Sequence, residues 1–110
     1  MNKEFIPYEQ ALDLKELGFN ENCFRGYMRQ YEEWIITDTI YDGHYEILAP
    51  LYQQAFRFFR EKYDFTYSIG KTNIAVIHYL GTTQLLQNND SYEAAELAAI
   101  KWFINVAKQQ

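Results

Sequence analysis

Residues 68–73 read Ser-Ile-Gly-Lys-Thr-Asn, and Gly70-Lys71-Thr72 has the form of the last part of a phosphate-binding loop. Such a loop follows the pattern G-x-x-x-x-G-K-[ST], and its backbone amides hold phosphate at the start of a helix. In this chain Phe65 stands where the first glycine belongs. Residues 74–77 are apolar and three of the four are β-branched, which predicts a strand instead of a helix. We therefore predict that residues 70–73 form a turn and bind no nucleotide.

Histidine, cysteine and acidic side chains could supply metal ligands or a nucleophile. The chain has two histidines, His44 and His78, and one cysteine, Cys23, and they do not lie at the spacing of a metal-binding motif. A nucleophilic pair of Cys23 and His78 has no support in the neighbouring sequence, because an isolated cysteine is usually a small hydrophobic residue. A catalytic pair of carboxylates stays compatible with the sequence, because the chain has fifteen acidic residues. We predict no catalytic residue, no cofactor-binding residue and no metal ligand.

The composition indicates a single globular domain over residues 1–110. The net charge is −5 and only ten residues are Lys or Arg, which argues against binding the phosphates of nucleic acid. The start of the chain lacks the pattern of a signal peptide, no apolar run could cross a membrane, and one cysteine cannot form an internal disulfide. These features predict a cytoplasmic protein. Twenty aromatic residues, ten of them tyrosines, favour a surface that binds another protein.

Three segments have the apolar spacing of helices that pack on a core. The first follows Pro7 and ends before Gly18, because proline starts helices well and glycine commonly ends them. The second follows Pro50 and carries an apolar stripe formed by Tyr52, Ala55, Phe56, Phe59 and Tyr63. The third begins after Asp90 or Ser91, since both residues can cap a helix.

Two further segments predict antiparallel hairpins. In residues 34–48 the Asp42-Gly43 pair is a strong signal for a two-residue turn, and this register places Tyr41 opposite His44. Residues 65–80 alternate in the same way around the turn at residues 70–73.

The remaining segments are less regular. Residues 81–90 predict a loop, and residues 20–32 fit a short helix, a strand or an irregular segment equally well. Together the elements indicate an α+β fold in which two antiparallel hairpins, about four strands, pack against about three helices.

Two surfaces are candidates for contact with other proteins. The tip and outer face of the first hairpin carry residues with no role in a core, namely Tyr41, His44 and Glu46. The last helix is apolar almost all round, which is typical of a helix that is covered on more than one side. Either the first two helices cover its second side, or that side contacts a partner or a second copy of the chain. A second copy would form a homodimer through Leu97, Ile100, Trp102 and Ile104.

Three blocks of the sequence resemble a group of short uncharacterised proteins encoded in Bacteroidetes genomes and their phages or prophages. The blocks are YEQALDLKELGF near the start, residues 49–63, and SYEAAELAAIKWFI near the end. This chain departs from the group at Ala94, which follows Glu93 where the group has further acidic residues. The resemblance implies a phage-linked origin, and the group has no assigned catalytic residue.

Three functions are compatible with these observations. The first is a small non-catalytic protein-interaction module with an unidentified protein partner, such as a phage or mobile-element accessory protein. The second is a nucleic-acid-binding α+β domain, which the acidic composition disfavours. The third is an enzyme whose site has no recognisable motif.

The Gly70-Lys71-Thr72 segment gives a direct test. We expect that isothermal titration calorimetry with millimolar ATP and magnesium shows no saturable heat, because the chain lacks the first glycine and the helix that a phosphate site needs. Lys71→Ala should leave the titration unchanged. Saturable binding that is lost in Lys71→Ala would show that the segment does hold a nucleotide.

Overall fold

The computed structural model describes residues 4–21, 23, 25–30, 33–37 and 47–110, with the backbone alone at 28–30 and 33–37. The described residues form three helices and six strands. The order is α1 Tyr8–Glu16, β1 Arg25–Gln30, β2 Glu33–Thr37, β3 Ile47–Ala49, α2 Tyr52–Tyr63, β4 Thr66–Ile69, β5 Ala75–Tyr79, β6 Thr82–Leu86 and α3 Tyr92–Ala107. The predicted α+β class is confirmed, with six described strands where about four were expected.

The chain divides into two compact units, residues 1–55 and residues 56–110, and helix α2 spans the division. The first unit contains the antiparallel sheet β2-β1-β3 and the second contains the antiparallel sheet β4-β5-β6. Each unit thus has its own sheet. A single domain over residues 1–110 stays a prediction.

Helix α1 ends as its sequence predicts. Gly18 has φ of 103°, a left-handed conformation that glycine adopts without steric cost. The Phe19 N–H donates to the Leu14 carbonyl at 2.9 Å, and the Gly18 N–H donates to the Lys15 carbonyl at 3.1 Å. This pair of hydrogen bonds is the Schellman motif, which satisfies carbonyls at the helix end. The Leu14 and Phe19 side chains are both buried, so the motif also turns the chain into the core of the first unit.

Tyr27 of β1 anchors the segment that precedes α1. Its hydroxyl donates to the Ile6 carbonyl at 2.7 Å, and its ring meets the Tyr8 ring edge-on with 5.6 Å between centroids. The Ile6 N–H in turn donates to the Pro50 carbonyl at 2.8 Å. Burial raises the pKa of Tyr27, so its hydroxyl stays a donor at neutral pH. One buried tyrosine therefore connects the start of the chain to the sheet.

The predicted pairing of the first hairpin is wrong in the described residues. The register set by an Asp42-Gly43 turn would place Thr37 opposite Leu48. In the structure Thr37 and Leu48 both pair with Gly26, from opposite sides of β1. Strand β1 lies between them because its end and the start of β2 are separated by only two residues, so the shortest connection pairs β1 with β2. The Asp42-Gly43 pair itself lies outside the described residues.

The second hairpin is confirmed. Strands β4 and β5 pair from Ile69 opposite Ala75 to Thr66 opposite His78. In the connecting turn the Asn73 N–H donates to the Gly70 carbonyl at 3.1 Å, and Asn73 has φ of 59°. Asparagine tolerates this conformation better than most residues. Residues 70–73 are therefore a turn that leads into a strand, as the sequence predicts.

The predicted loop at residues 81–90 is wrong, because residues 82–86 form strand β6. It pairs with β5 along its whole length, from Tyr79 opposite Thr82 to Ala75 opposite Leu86. The two connecting residues, Leu80 and Gly81, have φ of 50° and 78°. Positive φ at both positions is the geometry of a type I′ hairpin turn. Sequence analysis missed this turn because leucine is rarely found in that conformation.

The side chain of Asn89 fixes the end of this hairpin. Its Nδ2 donates to the Asn73 carbonyl and to the Leu86 carbonyl, each at 2.9 Å. The two acceptors lie just before β5 and at the end of β6, so one amide group joins the neighbouring strands. Ser91 follows and caps α3 by accepting a hydrogen bond from the Ala94 N–H at 3.1 Å. Of the two caps considered, Ser91 is the one used.

An aromatic core occupies the second unit. Phe59 of α2, Phe65 and Phe103 of α3 are almost completely buried, and each ring lies within 5.1–6.0 Å of the other two, measured between centroids. Their planes range from stacked to tilted, which are favourable arrangements for aromatic pairs. Phe56 adds a ring stacked on Tyr67 of β4 at 3.8 Å. The stripe predicted on the second helix is thus buried.

Leu80 provides a test of the β5–β6 turn. A left-handed conformation costs a leucine about 1 kcal/mol. The Leu80 side chain is 81% exposed, so its burial offsets little of this cost. We expect Leu80→Asn to raise the free energy of unfolding by about 1 kcal/mol and the melting temperature by roughly 4–8 °C.

Leu85→Asn is the matched control for Leu80→Asn. It makes the same chemical change on the same hairpin, at a partly exposed strand position where asparagine is unfavourable. In thermal melts at low protein concentration, Leu80→Asn should therefore have a higher melting temperature than the wild-type protein and Leu85→Asn a lower one. Equal or lower stability of Leu80→Asn would contradict the assigned turn.

Candidate functional site

No metal-binding group is present in the described part of the chain, since no three His, Cys, Asp or Glu residues there could hold a metal ion. Cys23 is half-buried, and its thiol lies 3.4 Å from the Glu21 carbonyl. Burial, with a smaller effect of the Glu21 charge, raises the pKa of Cys23 to about 11. The thiolate is the nucleophilic form of cysteine, so Cys23 stays protonated and unreactive at neutral pH.

His78 lies on β5 with an exposed side chain. Its Nδ1 is 3.4 Å from the Thr83 hydroxyl on the neighbouring strand. A histidine beside a hydroxyl is the arrangement that activates a nucleophile when both groups are held in a closed site. Here both side chains face solvent, where a threonine hydroxyl keeps its ordinary low reactivity. The geometry supports surface recognition by this pair better than it supports catalysis.

Strand β6 is the most exposed element of the second unit. Thr82, Thr83, Gln84 and Leu85 are all exposed, although they belong to both faces of the sheet. By contrast, Ala75 and Ile77 of the neighbouring β5 are completely buried. Helix α3 packs against β4, β5 and β6, but among these three strands only β5 has fully buried side chains.

The two-residue turn determines which backbone groups of β6 are free. A type I′ turn is closed by a hydrogen-bonded pair, here Tyr79 and Thr82, and such pairs alternate along an antiparallel ladder. Thr82, Gln84 and Leu86 therefore direct their N–H and C=O groups toward β5. Thr83 and Leu85 direct theirs away from the sheet. We call this side of β6 the free edge, because no strand pairs with it in the residues that the structure describes.

The face of the sheet that carries Thr83 and Leu85 has no charged side chain. The register gives two rows across the three strands, Thr66–His78–Thr83 and Ser68–Val76–Leu85. We call these six residues the outer face. The opposite face contains Ala75 and Ile77 and is covered by α3. The outer face and the free edge meet at Thr83 and Leu85.

The charge of the chain is unevenly distributed between the two units. Residues 1–55 have four basic and ten acidic residues, a net charge of −6. Residues 56–110 have six basic and five acidic residues, a net charge of +1. Residues 80–89, which include β6, have no charged residue at all. The free edge therefore carries no charged side chain of its own that would repel another protein.

A cluster of titratable groups lies at the start of α3. Burial, and then the charge of Glu93, raise the pKa of Glu96. Burial also raises the pKa of Tyr67, with smaller contributions from Tyr92 and Glu96 that raise it and from Arg60 that lowers it. Glu96 and the two tyrosines are thus close enough to influence one another. These surroundings disfavour the ionised forms of Glu96 and Tyr67.

The first unit has one described cavity of about 370 Å³, beside the end of α1. Its described lining combines apolar groups with one amine and one amide, from Ala11, Lys15, Gly18, Phe19, Asn20 and Leu48. The volume suits a small apolar ligand, since ligand sites are commonly about 300–1,000 Å³. The lining carries no pair of groups arranged for acid–base chemistry among its described residues.

The residues predicted from sequence have different outcomes. Tyr41, His44 and Glu46 lie outside the described residues, so this surface stays a prediction. On α3, Ile100 and Ile104 are buried in the chain, whereas Leu97 and Trp102 are half-buried. Two of the four residues therefore have no surface to offer a second copy, and self-association through this helix also stays a prediction.

Sequence analysis missed the free edge. The segment Thr82–Leu86 contains two threonines and two leucines, a composition compatible with a strand, but its neighbours were assigned to a loop. Leu80-Gly81 was the available signal, because glycine in the second position of a two-residue connection supports a type I′ turn. The leucine in the first position obscured it.

Glu96 allows a test of the cluster on α3. Its pKa is higher in the folded than in the unfolded chain, so the folded state loses stability as pH rises from about 4 through the folded-state pKa. We expect Glu96→Gln to raise the melting temperature at pH 7 by roughly 1–3 °C and to have no effect near pH 4.

Glu61→Gln is the control for Glu96→Gln, since Glu61 is an exposed glutamate on α2. It should show no pH-dependent gain when both variants are melted across the same pH range. If Glu96→Gln raised the melting temperature as much at pH 4 as at pH 7, the Glu96 carboxylate would not be destabilised by its surroundings.

Comparison with known proteins gives no further indication of function. No helix in the described part of the chain is both long and apolar enough to span a membrane. Protein-family models, curated protein sequences and solved structures were all compared with the chain, and none of them matches. The resemblance to short Bacteroidetes and phage proteins stays a prediction.

Proposed function

We propose that the protein is a small non-catalytic interaction module that binds an extended segment of another protein along β6. The observation that carries this proposal is the free edge, where the N–H and C=O groups of Thr83 and Leu85 pair with no other strand of the described residues. The Leu85 carbonyl accepts one long hydrogen bond, from Nε2 of the neighbouring Gln84 at 3.4 Å, and keeps a second lone pair for a partner strand. In strand addition these groups supply backbone hydrogen bonds, and the adjacent side chains supply specificity.

The composition of β6 supports this role. Proteins usually protect an edge strand with lysine, proline, a bulge or a covering element, because an open edge pairs readily with other chains. Residues 82–86 have no lysine and no proline, and their pairing with β5 is continuous. The other edge strand of this sheet, β4, is less open, since Tyr67 and Ile69 are half-buried there. An edge without protection is expected where a partner binds.

Exposed apolar side chains beside the free edge add to the binding surface. Leu80 is 81% exposed and Leu85 is 48% exposed, and they are two of the three most exposed large apolar side chains described. Tyr92, the third, lies at the start of α3. Covering Leu85 with a partner strand removes apolar area from water, and this stabilises the complex.

The alternative of nucleic-acid binding has no specific support. A sheet that binds RNA presents aromatic side chains on which bases stack, together with basic residues for the phosphates. The outer face has a single imidazole, that of His78, and no Phe, Tyr, Trp, Lys or Arg among its six residues. The resemblance adds a context to the proposed module, that of a phage or mobile-element accessory protein that acts in the cytoplasm.

Peptide selection tests the proposal without knowledge of the natural partner. A library of random peptides is selected against the protein at low concentration, and the affinity of each recovered peptide is measured for three forms of the protein. Thr83→Pro removes the outward N–H but keeps the hydrogen bonds to β5, and proline is tolerated at such an edge position. Thr83→Val is the matched control, since it has nearly the same shape and keeps the N–H.

We expect recovered peptides to bind Thr83→Pro about tenfold more weakly, which corresponds to the loss of one hydrogen bond, and to bind Thr83→Val with little change. Slower amide exchange at Thr83 and Leu85 in the complex should accompany binding. Recovered peptides whose affinity is unaffected by Thr83→Pro, with protection elsewhere, would show that binding does not use β6.

A further inference from the structure

We infer that the strand received by β6 is β6 of a second copy of this chain, which joins two three-stranded sheets into one sheet of six strands. This inference rests on the proposed function, because it names the partner of the same free edge. It differs from the homodimer predicted through α3, since it uses a different element. Its support lies in register, charge and the exposure of both faces of β6.

The first argument is that the free edge is complementary to itself. Two copies of β6 run antiparallel when a two-fold axis passes through Gln84, at the centre of the strand. Thr83 of each copy then lies opposite Leu85 of the other. Both residues direct their N–H and C=O groups outward, so these positions form two hydrogen-bonded pairs. This register uses all five residues of each strand.

The second argument concerns the side chains on the two faces. A two-fold axis perpendicular to the sheet keeps Thr83 and Leu85 of both copies on the same face, so each leucine covers the threonine of the other copy. The two Gln84 residues meet on the opposite face, with about 4.5 Å between their Cα atoms. Their amide groups can both donate and accept, so they satisfy each other. Gln84 is exposed, so the position is open to a second copy.

The third argument is electrostatic. Two copies with a net charge of −5 repel each other unless they meet where charge is absent. Residues 80–89 have no charged residue, and the unit that contains them has a net charge of +1, while the other unit has −6. The free edge is therefore the described surface on which a second copy meets the least repulsion.

The size of the contact predicts a weak dimer. A stable interface buries about 1,200–2,000 Å² in total, and two paired strands of five residues bury much less. The dimer should therefore form only at high protein concentration and exchange rapidly with the monomer. In the dimer the uncharged outer faces of the two sheets become continuous.

Sedimentation velocity over a wide concentration range tests the inference. We expect the wild-type protein to change from monomer to dimer as its concentration rises. Thr83→Pro removes two hydrogen bonds from the symmetric dimer, one for each copy, and should therefore weaken association about a hundredfold, whereas Thr83→Val should leave it nearly unchanged. Circular dichroism verifies that each variant is folded.

Charge exchange at the axis tests the register itself. Gln84→Lys and Gln84→Glu each place two like charges together in the dimer, and each should weaken self-association about tenfold. An equal mixture of the two variants should recover association, because the pair at the axis is then Lys opposite Glu. Only a contact in which residue 84 meets residue 84 predicts this recovery.

Two outcomes would overturn the inference. The wild-type protein could remain monomeric at the highest concentration, or it could dimerise with no response to Thr83→Pro and to the Gln84 exchange. In either case the proposed function stands if selected peptides still depend on the Thr83 N–H, because the peptide measurement uses monomeric protein. Loss of the peptide effect alone would instead contradict the proposed function.

Discussion

The second unit depends on the mutual packing of three phenylalanine rings. Phe59, Phe65 and Phe103 come from α2, from the residue before β4 and from α3, and all three are almost completely buried. Asp64 makes this possible, since its φ of 60° turns the chain sharply after α2 and returns Phe65 beneath the helix. Loss of any one ring would leave a large cavity, which typically costs about 3–5 kcal/mol.

The position of this aromatic core explains why β6 is exposed. Phe65 also contacts Tyr79 of β5 and Trp102 of α3, with centroids 4.6 Å and 5.9 Å apart. The burial that holds the sheet is therefore concentrated on β4 and β5. Backbone pairing with β5, the turn at Leu80-Gly81 and the side-chain amide of Asn89 hold strand β6 in place. The strand is therefore held with little burial of its side chains. Stability and binding surface are thus separated within one small sheet.

The two sheets differ in what holds their central strands and in the charge around them. In the first unit β1 is the central strand, and a buried tyrosine on it ties the segment before α1 into the structure. In the second unit the central strand is β5, and β6 has a free edge. The unit that contains β6 is also the unit that lacks a large net charge. These properties together make β6 the described surface best suited to bind another chain.

The sequence by itself determined the helices and the second hairpin. Pro7, Gly18 and Pro50 mark helix ends, and the apolar stripe of α2 is buried as its spacing predicts. Local rules suffice here because capping and periodicity depend on residues close in the chain. The β5–β6 turn is also local, but Leu80 adopts a conformation that its residue type disfavours, so its pattern could not be recognised.

Tertiary structure alone decided the order of the first sheet and the existence of the free edge. Thr37 and Leu48 are both compatible with a hairpin between them, and only the insertion of β1 separates them. The exposure of β6 is likewise not encoded in its five residues, because it depends on which other elements pack against them. Strand pairing and burial join residues distant in sequence, and a periodic pattern carries no information about which distant segment will cover it.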